Sequence, residues 1–249
     1  MEKTYNYLLK VEYDGTNYSG WQFQKNGKSI QETIERVLQK ILKSKIKING
    51  AGRTDKGVHA LGQHANFKIN KKIKNEKKFL NSLNFFLGKK SISIISVKRK
   101  KTIFHSRFDA KERIYEYKII NREGSLSLNI NKAWHVKTKL NFSLLKKGTK
   151  ILEGTHDFST FRASSCYAKS PIKKMISVKA IKQGDQIFLI FRSKSFLQNQ
   201  VRSMVGSLKY LSSGKWSLKE FKKAFFSKKR SNCAPPAPAC GLYLQNIKY

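Results

Sequence analysis

Acidic residues are scarce in this sequence. Asp and Glu number 15 against 52 Lys and Arg in 249 residues, a formal net charge of +37. Solubility needs far less, so the balance points to a polyanionic partner, with nucleic acid the first choice. Codon bias inflates Lys, but it does not account for the missing acids. Only 10 of the basic residues are Arg, so each Arg is informative: its planar guanidinium stacks and bonds bidentately where Lys cannot. Cysteine is limited to Cys166, Cys233 and Cys240. An odd number without paired spacing excludes a disulfide framework and a zinc pattern, and fits idle thiols in a reducing cytoplasm. The five histidines form no HExxH or finger pattern, so no metal is expected. Walker and GxGxxG loops are missing, so nucleotide cofactors are not indicated. No apolar run approaches membrane-spanning length, and no signal-peptide-like stretch is found at the start.

What is present is a folding sequence, 39% hydrophobic and 12% aromatic. Thr4–Tyr13 reads as a strand, followed by a turn-rich loop to Trp21. Ser29 and Glu32 form a capping-box pattern before a helix with Ile30, Ile34, Val37, Leu38, Ile41 and Leu42 on one face. Lys45–Ile48 and Ala65–Ile69 alternate as strands. Phe79–Leu87 is a short helix, Ile92–Val97 a strand, and Lys98–Lys101 a basic cluster. Ile114–Ile119 alternates, with Tyr115 and Tyr117 on one face. Asn141–Leu152 is helical, His156–Pro171 a polar loop, and Met175–Ile181 with Gln186–Phe191 a hairpin about Gly184-Asp185. Phe196–Leu211 and a stretch capped by Ser217 and Glu220 are helices. Pro235, Pro236 and Pro238 read as a stiff linker before a last strand, Gly241–Tyr249. Strands and helices in irregular alternation indicate an α+β chain.

Ile48–Phe67, INGAGRTDKGVHALGQHANF, packs four glycines around one carboxylate, Asp55. Between two strands it reads as an ordered loop with Arg53 and Lys56 flanking the aspartate, a common setting for chemistry. Thr-Asp-Lys-Gly is equally ordinary turn chemistry. The surroundings are cationic, which favours the ionised carboxylate.

Eight blocks in order resemble the tRNA pseudouridine synthase A (TruA) family. They are YDGTNYSGWQFQ at Tyr13, SIQETIERVL at Ser29, AGRTDKGVHALGQ at Ala51, FHSRFDA at Phe104, RIYEY at Arg113, HDFSTFRASSC at His156, VRSMVGSL at Val201 and APPAPACGLYL at Ala234. The resemblance implies two related α/β halves around a shared antiparallel sheet, 1–109 with the catalytic loop and 110–249, and a cleft between them. It implies a homodimer that isomerises uridines 38–40 in the anticodon stem-loop of tRNA without a cofactor. By the match, Asp55 is the catalytic nucleophile and Arg202 the residue paired with it. Arg53 fills the gap left by the flipped base, Tyr115 stacks on that base and Leu244 walls the pocket. The Phe104, His105, Ser106, Arg107 and Phe108 block and Arg162 are RNA-contact candidates, and the basic runs Lys71–Lys78 and Lys98–Lys101 are candidates for phosphate contact. Lys56 and Asn199-Gln200 depart from the family pattern.

Bland readings stand beside these. Tyr115 with Tyr117 also reads as cross-strand core, and Arg202 on an apolar helix face as an ordinary ion pair. Two rival functions share the charge: a non-catalytic RNA-binding or ribosome-assembly protein, and a synthase acting on another RNA.

Overall fold

The computed structural model describes residues 3–249. In chain order the elements are β1 (Tyr5–Tyr13), α1 (Ile30–Leu42), β2 (Ile48–Gly50), β3 (His59–Ile69), α2 (Glu76–Leu87), β4 (Ile92–Lys100) and β5 (Glu112–Asn121). Then come β6 (Trp134–Val136), α3 (Phe142–Ile151), β7 (Gly154–Asp157), β8 (Ile172–Gln183), β9 (Gln186–Ser193), α4 (Gln200–Ser212), α5 (Leu218–Phe226) and β10 (Leu242–Lys248). The chain is α+β in two compact units. One runs to Lys111 and includes Tyr243–Tyr249; the other is Glu112–Leu242. The division thus lies at Lys111 and not at 109. The C-terminal strand, which sequence order assigns to the second half, clusters with the first from Tyr243 onward, where Tyr243 and Leu244 run parallel to His59 and Ala60 of β3.

In the first unit the strand order is β4-β1-β3-β10, with β2 also on β3. The alternation of β1 works as period 2 requires. Tyr7 stacks on Phe67, which meets Phe79 of α2, so this face carries the helical layer. Leu8, Lys10 and Glu12 point the other way. Ser29 caps α1 by accepting the Glu32 N–H. The Glu32 carboxylate bonds Arg36 at 2.6 Å, so the Ser29 half of the expected capping box is what forms. Strand pairing before the Asp55 loop starts only at Ile48, where β3 supplies a partner in Phe67. Residues 45–47 stay outside the ladder although Ile46 is buried.

In the second unit the order is β5-β9-β8-β7, with β6 parallel to β5. The β8–β9 hairpin turns at Gly184-Asp185 as expected. His156–Pro171 is more than a polar loop: it opens in β7, and Phe158 and Phe161 are fully buried. Their rings lie 5.3 and 5.2 Å from Phe225 of α5. Such aromatic pairs contribute about 0.5–1.5 kcal/mol each beyond burial. α4 begins at Gln200 and not at Phe196, because Asn199 has φ 60° and cannot continue a right-handed helix. Asn is among the residues that tolerate this conformation, which gives one departure from the family pattern a backbone reason. The Pro235–Pro238 stretch, expected as a stiff linker, is a strap packed on α4: Ala234 and Ala237 are buried and the Ala237 N–H donates to the Arg202 carbonyl at 2.9 Å. Among the described residues no helix is long and apolar enough to cross a membrane.

Candidate active site

Asp55 lies on the loop between β2 and β3, and backbone contacts hold that loop. The Thr54 carbonyl accepts the Trp21 N–H at 3.0 Å, and Val58 N–H donates back to the Asp55 carbonyl at 3.2 Å. Thr54 Oγ1 shares a buried 2.7 Å hydrogen bond with the Tyr13 hydroxyl. Gln63 Nε2 donates to the Gly52 carbonyl at 2.7 Å. At the far end of the loop, His59 Nδ1 sits 3.1 Å from Gly15 N and 3.0 Å from Asp14 Oδ1, and its ring stacks on Tyr243 of β10. The loop following β1 is therefore a clamp on the Asp55 loop. In the sequence its residues belong to a motif that carries no direct indication of this role. The signal was the glycine-aromatic spacing Gly15, Tyr18, Gly20, Trp21, which lets backbone approach backbone.

Gly20 shows how close that approach is. Its φ is +114°, and a Cβ there would fall 2.7 Å from the Thr54 carbonyl oxygen and 3.2 Å from the Asp55 carbonyl carbon. Gly20→Ala is expected to cost about 1–3 kcal/mol through backbone strain and to push on the Asp55 peptide. A denaturant melt reads the first effect; an unchanged midpoint would show that the clamp has slack.

Of the first unit's other candidates, Arg53 and Lys56 are exposed beside Asp55, which is half-buried. Leu244 is fully buried on β10, in register with Ala60 of β3. Phe104–Phe108 divides by exposure. Phe108 is 71% exposed, with His105 4.4 Å and Arg107 5.7 Å from its ring centre. Ser106 is fully buried: its N–H donates to Asn66 Oδ1 and its hydroxyl to the Asn49 carbonyl. It anchors the loop from inside and presents nothing to solvent.

In the second unit, Tyr115 is 8% exposed and lies edge-on to Phe196 at 5.0 Å. Arg202, half-buried on α4, donates from Nε to the Ala237 carbonyl at 2.8 Å. The Tyr117 hydroxyl donates to the next strap carbonyl, Pro238, at 2.7 Å. Burial pushes the Tyr117 pKa well up and the Arg202 charge only partly opposes this, so Tyr117 remains a neutral donor. Arg162 donates to the Cys166 and Ala168 carbonyls and so shapes the 162–168 loop. Among the described residues no group of three or more His, Cys, Asp or Glu converges as metal ligands.

These features can be set against known proteins. A family model described as tRNA pseudouridine synthase matches residues 10–109 and 149–249. A tRNA pseudouridine synthase A of Pelagibacter ubique is 53% identical over 245 residues, covering 98% of this chain and all of that protein. The chain belongs to the tRNA pseudouridine synthase A family. It is accordingly an isomerase. Synthases of the same name from Rhodopseudomonas palustris, 42% identical, and Maricaulis maris, 40% identical, each align with 98% of this chain and with 98% and 97% of their own length. The stretches matched by the synthase model contain Arg53, Asp55, the Phe104 block, Arg162, Arg202 and Leu244; Tyr115 falls between them.

Proposed function

We propose that this synthase converts uridine to pseudouridine in the anticodon stem-loop of tRNA, with Asp55 as the catalytic nucleophile. The observation that carries the reading is the Asp55 loop. Its backbone is tied down on both sides while its side chain remains only half-buried. A carboxylate so placed suits attack followed by departure, which the reaction requires.

The chemistry balances without a cofactor. The N1–C1′ bond of the nucleoside breaks, the uracil turns, a C5–C1′ bond forms, and the proton lost from C5 is matched by one gained at N1. A base within a helix must first be flipped out, at a cost of a few kcal/mol. In this reading Tyr115 stacks on the flipped uracil, as single bases are commonly gripped, and Leu244 walls its pocket. Arg53, exposed two residues before Asp55, fills the vacated space. Arg202 pairs with the Asp55 carboxylate. Arg107, His105 and Phe108 form an exposed cationic-aromatic tip suited to RNA, with Phe104 at its base. Arg162 contacts phosphate through whatever its two loop carbonyls leave open. The working form is a cytoplasmic homodimer, each site taking one anticodon arm.

The test is to map pseudouridines in tRNA from cells with and without this protein. Loss confined to the anticodon stem-loop is the expected result. No loss anywhere would return the chain to the binding-protein reading, and loss in another RNA would move the substrate.

A further inference from the structure

As a run, Lys98–Lys101 names no surface, and the pleat of β4 divides it. Arg99 turns to the helix-covered face, 5.1 Å from the Tyr5 ring centre. Lys98 and Lys100 turn to the opposite face of the first unit's sheet. Register sets Lys98 beside Leu8 and Lys100 beside Asn6 of β1, and Lys10 of β1 beside His64 of β3. Lysines far apart in sequence thus gather round one imidazole. Burial first, then Lys10, Lys100 and Lys98, lower the His64 pKa to about 4, so the ring is neutral at physiological pH. Its Nδ1 is buried without a hydrogen-bond partner.

Nothing in the strands offsets these charges well. β1, β3 and β4 contain a single carboxylate, Glu12. Like charges on neighbouring strands are destabilising, yet the sheet accommodates them: Gly62, where a Cβ would fall 2.5 Å from the Gln245 carbonyl oxygen, also leaves open the space 3.2 Å from the Lys10 Cε. Aromatic rings border the patch. Tyr249 lies 5.4 Å from His64 and 5.0 Å from Phe104, and Lys100 Nζ is 5.3 Å from the Phe104 ring centre. A single-sign basic strip beside aromatic rings is the pattern that follows a nucleic-acid backbone.

We propose that this face of the first unit's sheet is a phosphate track, on which Lys10, Lys98 and Lys100 take backbone phosphates of the tRNA apart from the reacting nucleotide. The proposal rests on the tRNA reading, and its test separates the two. Whole tRNA binding is measured against salt for wild type, for Lys98→Gln/Lys100→Gln, and for Lys77→Gln/Lys78→Gln. The last pair removes the same charge from exposed positions on α2, which covers the other face. Each lost phosphate contact should make the log–log slope shallower by roughly 0.7–0.9. The track variant should therefore lose roughly 1.4–1.8 of slope, and the α2 variant almost none. Lys98→Gln alone, at an exposed position, should show half the effect, so a fold defect in the double variant cannot stand in for the result. Equal slopes for track variant and wild type, or an equal change in the α2 variant, would overturn the track. Pseudouridine formation by wild type is scored on the same tRNA. Its absence would overturn the synthase reading, while the slopes still judge the track.

Discussion

Asp55→Asn is expected to abolish release of a label from uracil C5 in tRNA, even in a single turnover with excess protein. The substitution is nearly isosteric, and the backbone and Thr54 contacts of the loop are left in place. The Thr54 carbonyl keeps the Trp21 N–H, the Asp55 carbonyl keeps the Val58 N–H, and Thr54 Oγ1 keeps Tyr13. Only the negative charge and its nucleophilicity go. Binding of tRNA should persist within about tenfold, which is roughly 1.4 kcal/mol, and one fewer negative charge can even tighten it. A binding protein would release no label as wild type either. If Asp55 were only a turn residue, Asn, itself at home in turns, would retain most of the activity. Substantial release by Asp55→Asn would therefore show that the nucleophile is elsewhere.

Arg202→Ala is expected to lower turnover on the order of 10²–10³, the loss seen when one preorganised charge-stabilising donor is removed from a site. Two effects combine in this residue, and two measurements separate them. The Nε bond to the Ala237 carbonyl holds the strap on α4; losing a charged hydrogen bond of this kind costs about 1.5–3 kcal/mol of stability. The proposed pairing with Asp55 acts on turnover. Arg202→Lys retains a point charge but not the fork, so it should recover part of the turnover and little of the strap. Wild-type turnover in Arg202→Ala would remove Arg202 from the site, whatever the melt shows.

Much of the fold was legible because it rests on local rules. The alternation of Tyr7, Leu9 and Val11 against Lys10 and Glu12 is a period of two and needs no partner to be seen. Ser29 and Ser217 announce helix starts by side chains that reach their own backbone. The failures have one kind of cause. Phe196–Asn199 reads as helix because its composition allows it, but Asn199 takes φ 60° and α4 opens only at Gln200. Pro235–Pro238 reads as a stiff linker because proline breaks ladders, yet its carbonyls find donors in Arg202 and Tyr117, far away in sequence. Ser106 sat in an RNA-contact block and proved to be buried, because Asn49 and Asn66 reach it from other strands.

By itself the sequence determined the charge, the glycine-framed aspartate, the order of the motifs and hence the family; these are one-dimensional properties that composition and spacing carry completely. Tertiary structure alone decided that β10 joins the first unit and that the β1–α1 loop clamps the Asp55 loop. It also decided that Lys98 and Lys100 part from Arg99 to meet Lys10 and His64. The clamp depends on two loops meeting backbone to backbone, and the others on register between strands remote in the chain. Backbone hydrogen bonding sets that register, and a shift of one residue would send every side chain to the other face.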